Sequence, residues 1–555
     1  MRARAVVTTD MIFLATLLLT MFITIVLIPL LRGLGERLNM VDEPQARKIH
    51  EQPMPRSGGL AMAAGMLVPI LLWVPGAPLV RSVLIGSWIL VVFGLADDIR
   101  GLDYRLKFVG QLTAALVVIV YGGVRIRSLG VLLPDGMLLP PGLSLPLSVL
   151  VIIGVTNAIN LADGLDGLAG GVCLLIFLCI AFLAYQSEQM TIALLSVAMA
   201  GAIFGFLRFN TYPATVFMGD TGSQFLGFFA ATMSLQLTQS GSAFSPLLPL
   251  ILLGFPVLDT LTVMFERIAD GRSPFAADLN HFHHKLMRLG LSHTESVLAI
   301  YLIQTFLVVV AYLFRFHSEW QLLAFYLLFS GIVLTVFFLA DRSGWRMRRF
   351  ALVDTVIKGR LKALLSQQII IKTTFRVFQV IFPLLFLATC IAAPRLQPSF
   401  LFLYAGLLGL VVLVWVVKRD YLAGALRLGV YLLVPVMVYL SQSQPPAWLY
   451  GWVLRLYNLS FGVLALFVIL TLRFTRRRGF KSTPLDFLIL FVAVIVPNLP
   501  DEQIRSYQLG FIATKIIVFF FSYEVLMGEL RGRLPWLGGC IILGLVIVLA
   551  HNLIL

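Results

Sequence analysis

The feature that most limits what this chain can become is a succession of apolar stretches. Each is close to the roughly 20 residues that carry a helix across a bilayer core. The first, near 11–31, follows Met1-Arg-Ala-Arg and has no small-residue cleavage site before Arg32, so it reads as a retained span and not a signal peptide. Others run near 59–77, 82–96, 107–122, 145–161, 168–186, 190–208, 222–238, 244–265, 294–314 and 320–340. A second set lies near 377–393, 399–417, 424–441, 450–472, 484–499, 509–527 and 537–555. That makes about eighteen spans. Hydrophobic residues are 59% of the 555 and charged residues 12%, against about 25% charged in a globular chain. Such a chain cannot cover itself for water, which excludes a soluble enzyme, a disordered protein and a disulfide scaffold. The expected fold is an all-α polytopic integral membrane protein, with about eleven spans in its first part.

The net charge of +15 is not a nucleic-acid footprint, because Lys and Arg sit in the gaps between apolar stretches. With the N-terminus outside and alternating spans, about three quarters of them fall on the cytoplasmic side, although Arg2 and Arg4 do not. The four cysteines, Cys173, Cys179, Cys390 and Cys540, form no CxxC pair and read as packing residues. The chain divides near a basic, partly amphipathic stretch. Residues 1–340 are expected to form a membrane-embedded core, 341–376 a cytoplasmic linker or interfacial helix, and 377–555 an additional transmembrane region without a legible role. No internal repeat points to transporter-like inverted halves.

Hydrophobicity leaves four polar clusters unexplained, and the topology places all four at the cytoplasmic membrane face. Asp97 and Asp98 end the run VVFGLADD. Adjacent carboxylates resist desolvation and want a cation such as Mg²⁺, although acids at a solvated helix end would look the same. Asp103 is a third member of this group or a loop residue. Asn157, Asn160, Asp163 and Asp166 recur every third residue, so they follow one drifting helical face into Gly164 and Gly167. In NTYPATVFMGDTGS, Pro213, Gly219 and Gly222 bracket Asp220 just before a new span. A carboxylate beside a helix N-terminus and free backbone N–H groups suits a metal-bound phosphate, or an ordinary tight turn.

The fourth cluster, RSPFAADLNHFHHK, gathers Arg272, Asp278, His281, His283, His284 and Lys285. On helical spacing His281 and His284 share a face and His283 points elsewhere. Zinc is a weak fit without cysteine; imidazoles and cations donating to a diphosphate fit better. A fainter element, Arg47-Lys48-Ile-His50 through Arg56-Ser-Gly58-Gly59, would suit an anionic substrate or a positive-inside loop equally.

In this order, GLADDIRGL, NAINLADGLDGLAGG, NTYPATVFMGDTGS and GRSPFAADLNHFHHKLMRLGLSH resemble the polyprenyl-phosphate N-acetylhexosamine-1-phosphate transferases, glycosyltransferase family 4, over residues 10–340. The form NHFHHKLMRLGLSH looks like the branch using UDP-GlcNAc or a related UDP-N-acetylhexosamine. The lipid I branch carries a contiguous His triplet and a Lys-x-Gly-Thr-Pro-type early loop. Here Phe282 interrupts the triplet and the loop reads KIHEQPMPRSGG.

The resemblance implies an enzyme of the bacterial inner membrane with its site on the cytoplasmic face. It would move N-acetylhexosamine 1-phosphate, most simply GlcNAc-1-phosphate, from a UDP-sugar to undecaprenyl phosphate. That reaction releases UMP and starts a lipid-linked surface polysaccharide such as O-antigen. Implied partners are UDP-N-acetylhexosamine, undecaprenyl phosphate, membrane lipid and Mg²⁺ or Mn²⁺, with a homodimer as the conceivable assembly and no nucleic acid. By the same resemblance Asp97, Asp98, Asp163 and Asp166 are the catalytic candidates, and Asp220 with Asn157 the metal candidates. Lys48, Arg56, Asn157, Asn160, Asn210, Phe217, Arg272, His281, His283 and His284 are expected to bind substrate. A one-step attack by the lipid phosphate and a two-step route through a covalent aspartyl intermediate both remain open. The rival reading is a transporter or flippase for anionic lipids or sugars. It would spread its charges through both halves of the chain near mid-membrane, where Asp259 is the main exception to the clustering at one face.

Overall fold

The computed structural model describes residues 2–38, 40–42, 53–74, 76–134, 137–273, 280–343, 368–394, 396, 398–417, 422–443, 445–474, 509–529 and 534–554. They form two compact units, Met1–Arg348 and Arg349–Leu555. Lys48, Asp278, most of the stretch expected as a linker and the expected span 484–499 lie outside the described residues.

The first unit is a bundle of helices. In chain order these are α1 (Arg2–Arg37), α2 (Gly58–Trp73), α3 (Pro78–Arg100), α4 (Tyr104–Val120), α5 (Pro141–Ala162), α6 (Leu168–Gln186) and α7 (Met190–Asn210). There follow α8 (Gly219–Gln239), α9 (Leu248–Leu252), α10 (Gly254–Ala269), α11 (Phe282–Arg288), α12 (His293–Phe314) and α13 (Glu319–Arg342). A two-stranded antiparallel ribbon, β1 (Val41–Asp42) with β2 (Met54–Pro55), joins α1 to α2.

Across both units, nine helices among the described residues are long and apolar enough to cross a membrane, and five shorter apolar helices accompany them. Outward-facing side chains such as Val92, Leu116, Val120, Leu150, Leu327 and Leu328 are exposed. Water would penalise that surface, and a bilayer would accept it.

Helix α8 lies at the centre, against α2, α3, α5, α6, α7 and α9. Every residue from Thr221 to Leu235 is buried. Because protein surrounds it, α8 needs no apolar coat. It carries Ser223, Gln224, Thr232 and Ser234 inside the bundle and is not among the nine strongly apolar helices. Small residues permit the crowding: a Cβ on Gly59 would overlap the backbone of Gly222, and one on Gly94 would stand 2.5 Å from Thr221 Cα.

The expected span 244–265 is broken into α9 and α10. Pro256 has no N–H to give the carbonyl of Leu252 one turn earlier. Gln304 of α12 satisfies that oxygen with its amide at 2.8 Å, and the Tyr326 hydroxyl donates to the Gly254 carbonyl at 3.0 Å. Hydropathy alone shows one span here; hydrogen bonding divides it.

The second unit contains α14 (Gln368–Ala392), α15 (Pro398–Val417), α16 (Leu422–Ser443), α17 (Trp452–Phe474), α18 (Leu509–Glu529) and α19 (Leu534–Ile554). Phe382, Phe386, Phe461 and Phe519 pack edge to face in its core. Lys515 is buried there, donating to Gln442 Oε1 at 2.5 Å with its ammonium 4.5 Å from the Tyr457 ring centre.

Candidate active site

The candidate side chains are delivered by helix ends at one end of the first unit. Asp97 and Asp98 are on the last turn of α3, Lys107 on the first turn of α4, Asp163 caps α5, Asp220 opens α8, and the histidines lie at α11 and the start of α12. Neighbouring residues on a helix point about 100° apart, so the two adjacent aspartates serve different neighbours.

Asp98 turns toward α8. Its Oδ1 accepts the Asp220 N–H at 3.0 Å, and its Oδ2 accepts the Thr221 N–H at 3.1 Å and the Thr221 hydroxyl at 2.7 Å. A carboxylate placed on free N–H groups at a positive helix end is a strong anchor. The chain enters this helix through Gly219 at φ +67°, a left-handed conformation that favours glycine.

Asp97 turns toward α4. Its Oδ1 accepts the Leu102 N–H at 2.6 Å. Its Oδ2 and Asp220 Oδ2 meet the same ammonium, that of Lys107, at 2.6 and 2.7 Å. Asn160 donates to Asp220 Oδ1 at 3.2 Å and to Ser223 at 2.7 Å. Asn157 stands one turn back, exchanging hydrogen bonds with Gln111, which also donates to Gln224. Asn160 is thus the asparagine that touches Asp220, while Asn157 belongs to a polar chain between α4, α5 and α8. Asp103 is exposed just before α4.

The loop 163–167 is pinned from several sides. Asp166 Oδ2 accepts the Ala214 N–H at 2.9 Å, and the Asp166 N–H meets His293 Nε2 at 3.2 Å. Buried Asn210 accepts from the Gly167 N–H and donates to the Val216 carbonyl, both at 3.0 Å. Tyr301 donates to the Gly167 carbonyl at 2.6 Å. Asn210 and Asp166 therefore hold loop to loop. Asp163 is different: its carboxyl is pushed up to about 7, first by burial and then by Asp220, Asp166 and Asp98 around it.

The loop before α8 is stitched to the start of α2. Gly58 and Gly59 donate their N–H groups to the carbonyls of Phe217 and Met218, and Phe217 N–H bonds the Pro55 carbonyl. Arg56 pairs with Asp42 and reaches Asp98 at 3.7 Å.

His281 and His284 do not share a helical face. His281 precedes α11 with extended backbone (ψ 152°), so helical spacing does not apply to it. Its ring lies parallel to that of His283, centres 5.8 Å apart. Asp259 of α10 lies 2.9 Å from His281 Nδ1 and accepts from the Phe282 N–H at 2.7 Å. His283 packs on the loop at Gly164, where a Cβ would overlap its Nε2. Burial, then the neighbouring His284, His281 and His293, pushes the His283 imidazolium down to about 3, so it is neutral at ordinary pH. Arg272 pairs with Asp270 at 2.6 Å beyond α10. Among the described residues no three His, Cys, Asp or Glu side chains gather as a metal cage.

Two residues of this assembly were hidden in the sequence. Lys107 looks like any basic residue of a positive-inside gap. Asp259 stood out only as an in-membrane acid, with no spacing to link it to His281.

Comparison with known proteins bears on the same region. Residues 80–238, from α3 to α8, match the Glycosyl transferase family 4 profile. The chain is 36% identical over 310 residues, 56% of its own length and 85% of the other's, to a probable undecaprenyl-phosphate N-acetylglucosaminyl 1-phosphate transferase of Bacillus subtilis strain 168. It is 34% identical over 304 residues to a decaprenyl-phosphate N-acetylglucosaminephosphotransferase of Mycolicibacterium smegmatis, covering 49% of this chain and 74% of that protein. It is 28% identical over 303 residues to the undecaprenyl-phosphate alpha-N-acetylglucosaminyl 1-phosphate transferase of Escherichia coli K12, covering 53% and 82%. A profile match from α3 to α8, with a relative 36% identical over 85% of its own length, gives the all-helical bundle one placement: the chain belongs to glycosyl transferase family 4.

Proposed function

We propose that the chain transfers N-acetylglucosamine 1-phosphate from UDP-GlcNAc to a polyprenyl phosphate, undecaprenyl phosphate in bacteria, at the cytoplasmic face of the inner membrane. UMP is released, and the lipid-linked sugar starts a surface polysaccharide such as O-antigen. The observation that carries this reading is the meeting of Asp97 and Asp220 on Lys107 at the end of a membrane bundle. The names of the three relatives support the acceptor and the transferred group.

The donor set fits Mg²⁺. Two carboxylate oxygens already converge on one cationic point, and Mg²⁺ takes one or two carboxylates plus substrate phosphates in preference to an all-protein cage. Asp97 and Asp220 would hold it, with Asn160 fixing Asp220; Mn²⁺ suits the same oxygens. When bound, the ion neutralises the phosphates' charge and polarises the oxygens of the group being transferred.

The chain's own residues supply the rest. A lipid phosphate oxygen must attack the β-phosphorus of the donor while the bond to the UMP oxygen breaks, so two anions have to meet. Lys107 meets Asp97 and Asp220; where the ion takes those carboxylates, the ammonium's three N–H donors would turn to phosphate oxygens. Asp98 holds the start of α8, and therefore Asp220, in one position. The histidine cluster adds imidazole donors beside the 163–167 loop.

Purified full-length protein, undecaprenyl phosphate, a panel of UDP-sugars and Mg²⁺ or EDTA test the proposal. UMP formed with lipid, metal and a UDP-N-acetylhexosamine supports it and names the donor. No UMP from any donor, with an active relative assayed alongside, overturns it.

A further inference from the structure

Four histidines crowd the site, with His293 on the Asp166 N–H, and the structure treats the other three unequally. His283 is 2% exposed, its Nε2 has no hydrogen-bond partner among the described residues, and it is neutral at ordinary pH. His284 is half-buried, and burial followed by the charge of His281 lowers its proton affinity. Of His281, His283 and His284, only His281 is within hydrogen-bond distance of a carboxylate. Asp259 is itself 2% exposed, and each of its oxygens has one partner: His281 Nδ1 at 2.9 Å and the Phe282 N–H at 2.7 Å. Among the described residues Asp259 makes no other ion pair. Lys285, the nearby cation on α11, is closed on Glu266 of α10 at 2.5 Å.

A buried carboxylate accepts only, so the ring nitrogen facing it must carry the hydrogen. That leaves Nε2 as the atom free to meet a ligand. Bonding Phe282 as well ties the carboxylate to the backbone that begins α11, so ring and helix are set together.

We propose that Asp259 is a positioning residue that fixes the Nδ1–H tautomer of His281 and directs its Nε2 toward the donor substrate, making His281 the one ring of the cluster oriented by a hydrogen-bonded carboxylate. The catalytic part rests on the transferase reading; the tautomer does not. His283, parallel to His281 and packed on Gly164, is then the neutral wall of the pocket.

The test uses the full-length enzyme with Asp259→Asn, Asp259→Glu, His281→Gln and the double variant Asp259→Asn/His281→Gln. Loss of an orienting partner behind a working imidazole costs about 10–100-fold in activity. Asp259→Asn should show that loss in kcat more than in KM, with Asp259→Glu recovering part of it. The double variant should be no slower than His281→Gln, because both substitutions remove one function. Nitrogen NMR of histidine-labelled protein in nanodiscs reads the tautomer without turnover. The wild type should show His281 protonated on Nδ1, and Asp259→Asn should lose that preference.

Additive losses in the double variant, or an Nε2–H wild-type tautomer, would overturn the proposal. Should Asp259→Asn fail to fold, the wild-type tautomer and the Asp259→Glu kinetics still decide. Wild-type protein inactive with every donor would overturn the assigned reaction, and the NMR result would then judge Asp259 by itself.

Discussion

Asp98→Asn separates anchoring from chemistry at the pair of acids. The carboxylate holds three donors, the N–H groups of Asp220 and Thr221 and the Thr221 hydroxyl. Asparagine offers one acceptor oxygen, and its NH₂ would confront at least one N–H with no acceptor between them. A hydrogen bond to a charged group is worth about 1.5–3 kcal/mol, and a negative charge at a helix N-terminus adds about 0.3–1 kcal/mol. Losing one such bond and the charge weakens the anchor by about 3 kcal/mol, where 1.36 kcal/mol is a factor of ten in rate. If that energy holds Asp220 in place, kcat for UMP release should fall by about 100-fold and the melting temperature should fall with it. Thr221→Val removes only the hydroxyl bond, about 1.5 kcal/mol at the low end for a bond to a charged group, and should cost about tenfold. The graded pair is read by steady-state kinetics and thermal unfolding in detergent. Full wild-type kcat in a less stable Asp98→Asn protein would refute the anchoring argument. So would complete inactivity at unchanged stability, which would put Asp98 in the chemistry itself.

Three further outcomes follow from the same geometry. Lys107→Met should slow turnover by about 100-fold or more, as loss of a preorganised cation does; its residual activity should need less Mg²⁺, because Asp97 and Asp220 lose their competing ammonium, and a metal titration checks this. The Asp163 carboxyl titrates near 3.8 when unfolded and about 7 when folded. The folded state therefore binds more protons in that window, and wild-type stability falls as pH rises through it. Asp163→Asn, unable to ionise, should raise the melting temperature of metal-free protein at about pH 8 and lose that advantage near pH 4. Finally, a groove of about 490 Å³ is lined by Leu67, Leu84, Ile85, Trp88, Ile89, Val92 and Phe93. Ile85, Ile89 and Phe93 are spaced by four and lead to Asp97, so Ile89→Trp should raise KM for undecaprenyl phosphate while sparing a short-chain acceptor.

Much of the bundle was legible because lipid imposes a simple rule on sequence: about 20 apolar residues make a span. The rule fails where protein replaces lipid as the surroundings. Helix α8 is polar enough to miss the hydropathy standard, yet every residue from Thr221 to Leu235 is buried by its neighbours. Conversely, residues 244–265 look like one span, and Pro256 divides them by leaving the Leu252 carbonyl for Gln304. Hydropathy sums side chains and carries no record of which backbone groups find partners.

The site was legible to the level of clusters and not of roles, for a geometric reason. Acids and histidines stand out against an apolar chain, so the segments around Asp97, Asp163, Asp220 and His281 announce themselves. Their partners do not. Asp97 and Asp98 are one position apart in sequence but about 100° apart on the helix. One therefore meets Lys107 while the other caps α8. Lys107 sits where topology already predicts a basic residue, so its charge carried no surprise until Asp220, 113 positions away, was seen against it. Asp259 shows the converse. A buried acid demands a partner wherever it lies, but nothing in its spacing names His281. Acids in or beside the spans are visible as violations of the membrane's rules and a basic residue such as Lys107 is not, so only contact geometry separates the residues that meet substrate from those that position them.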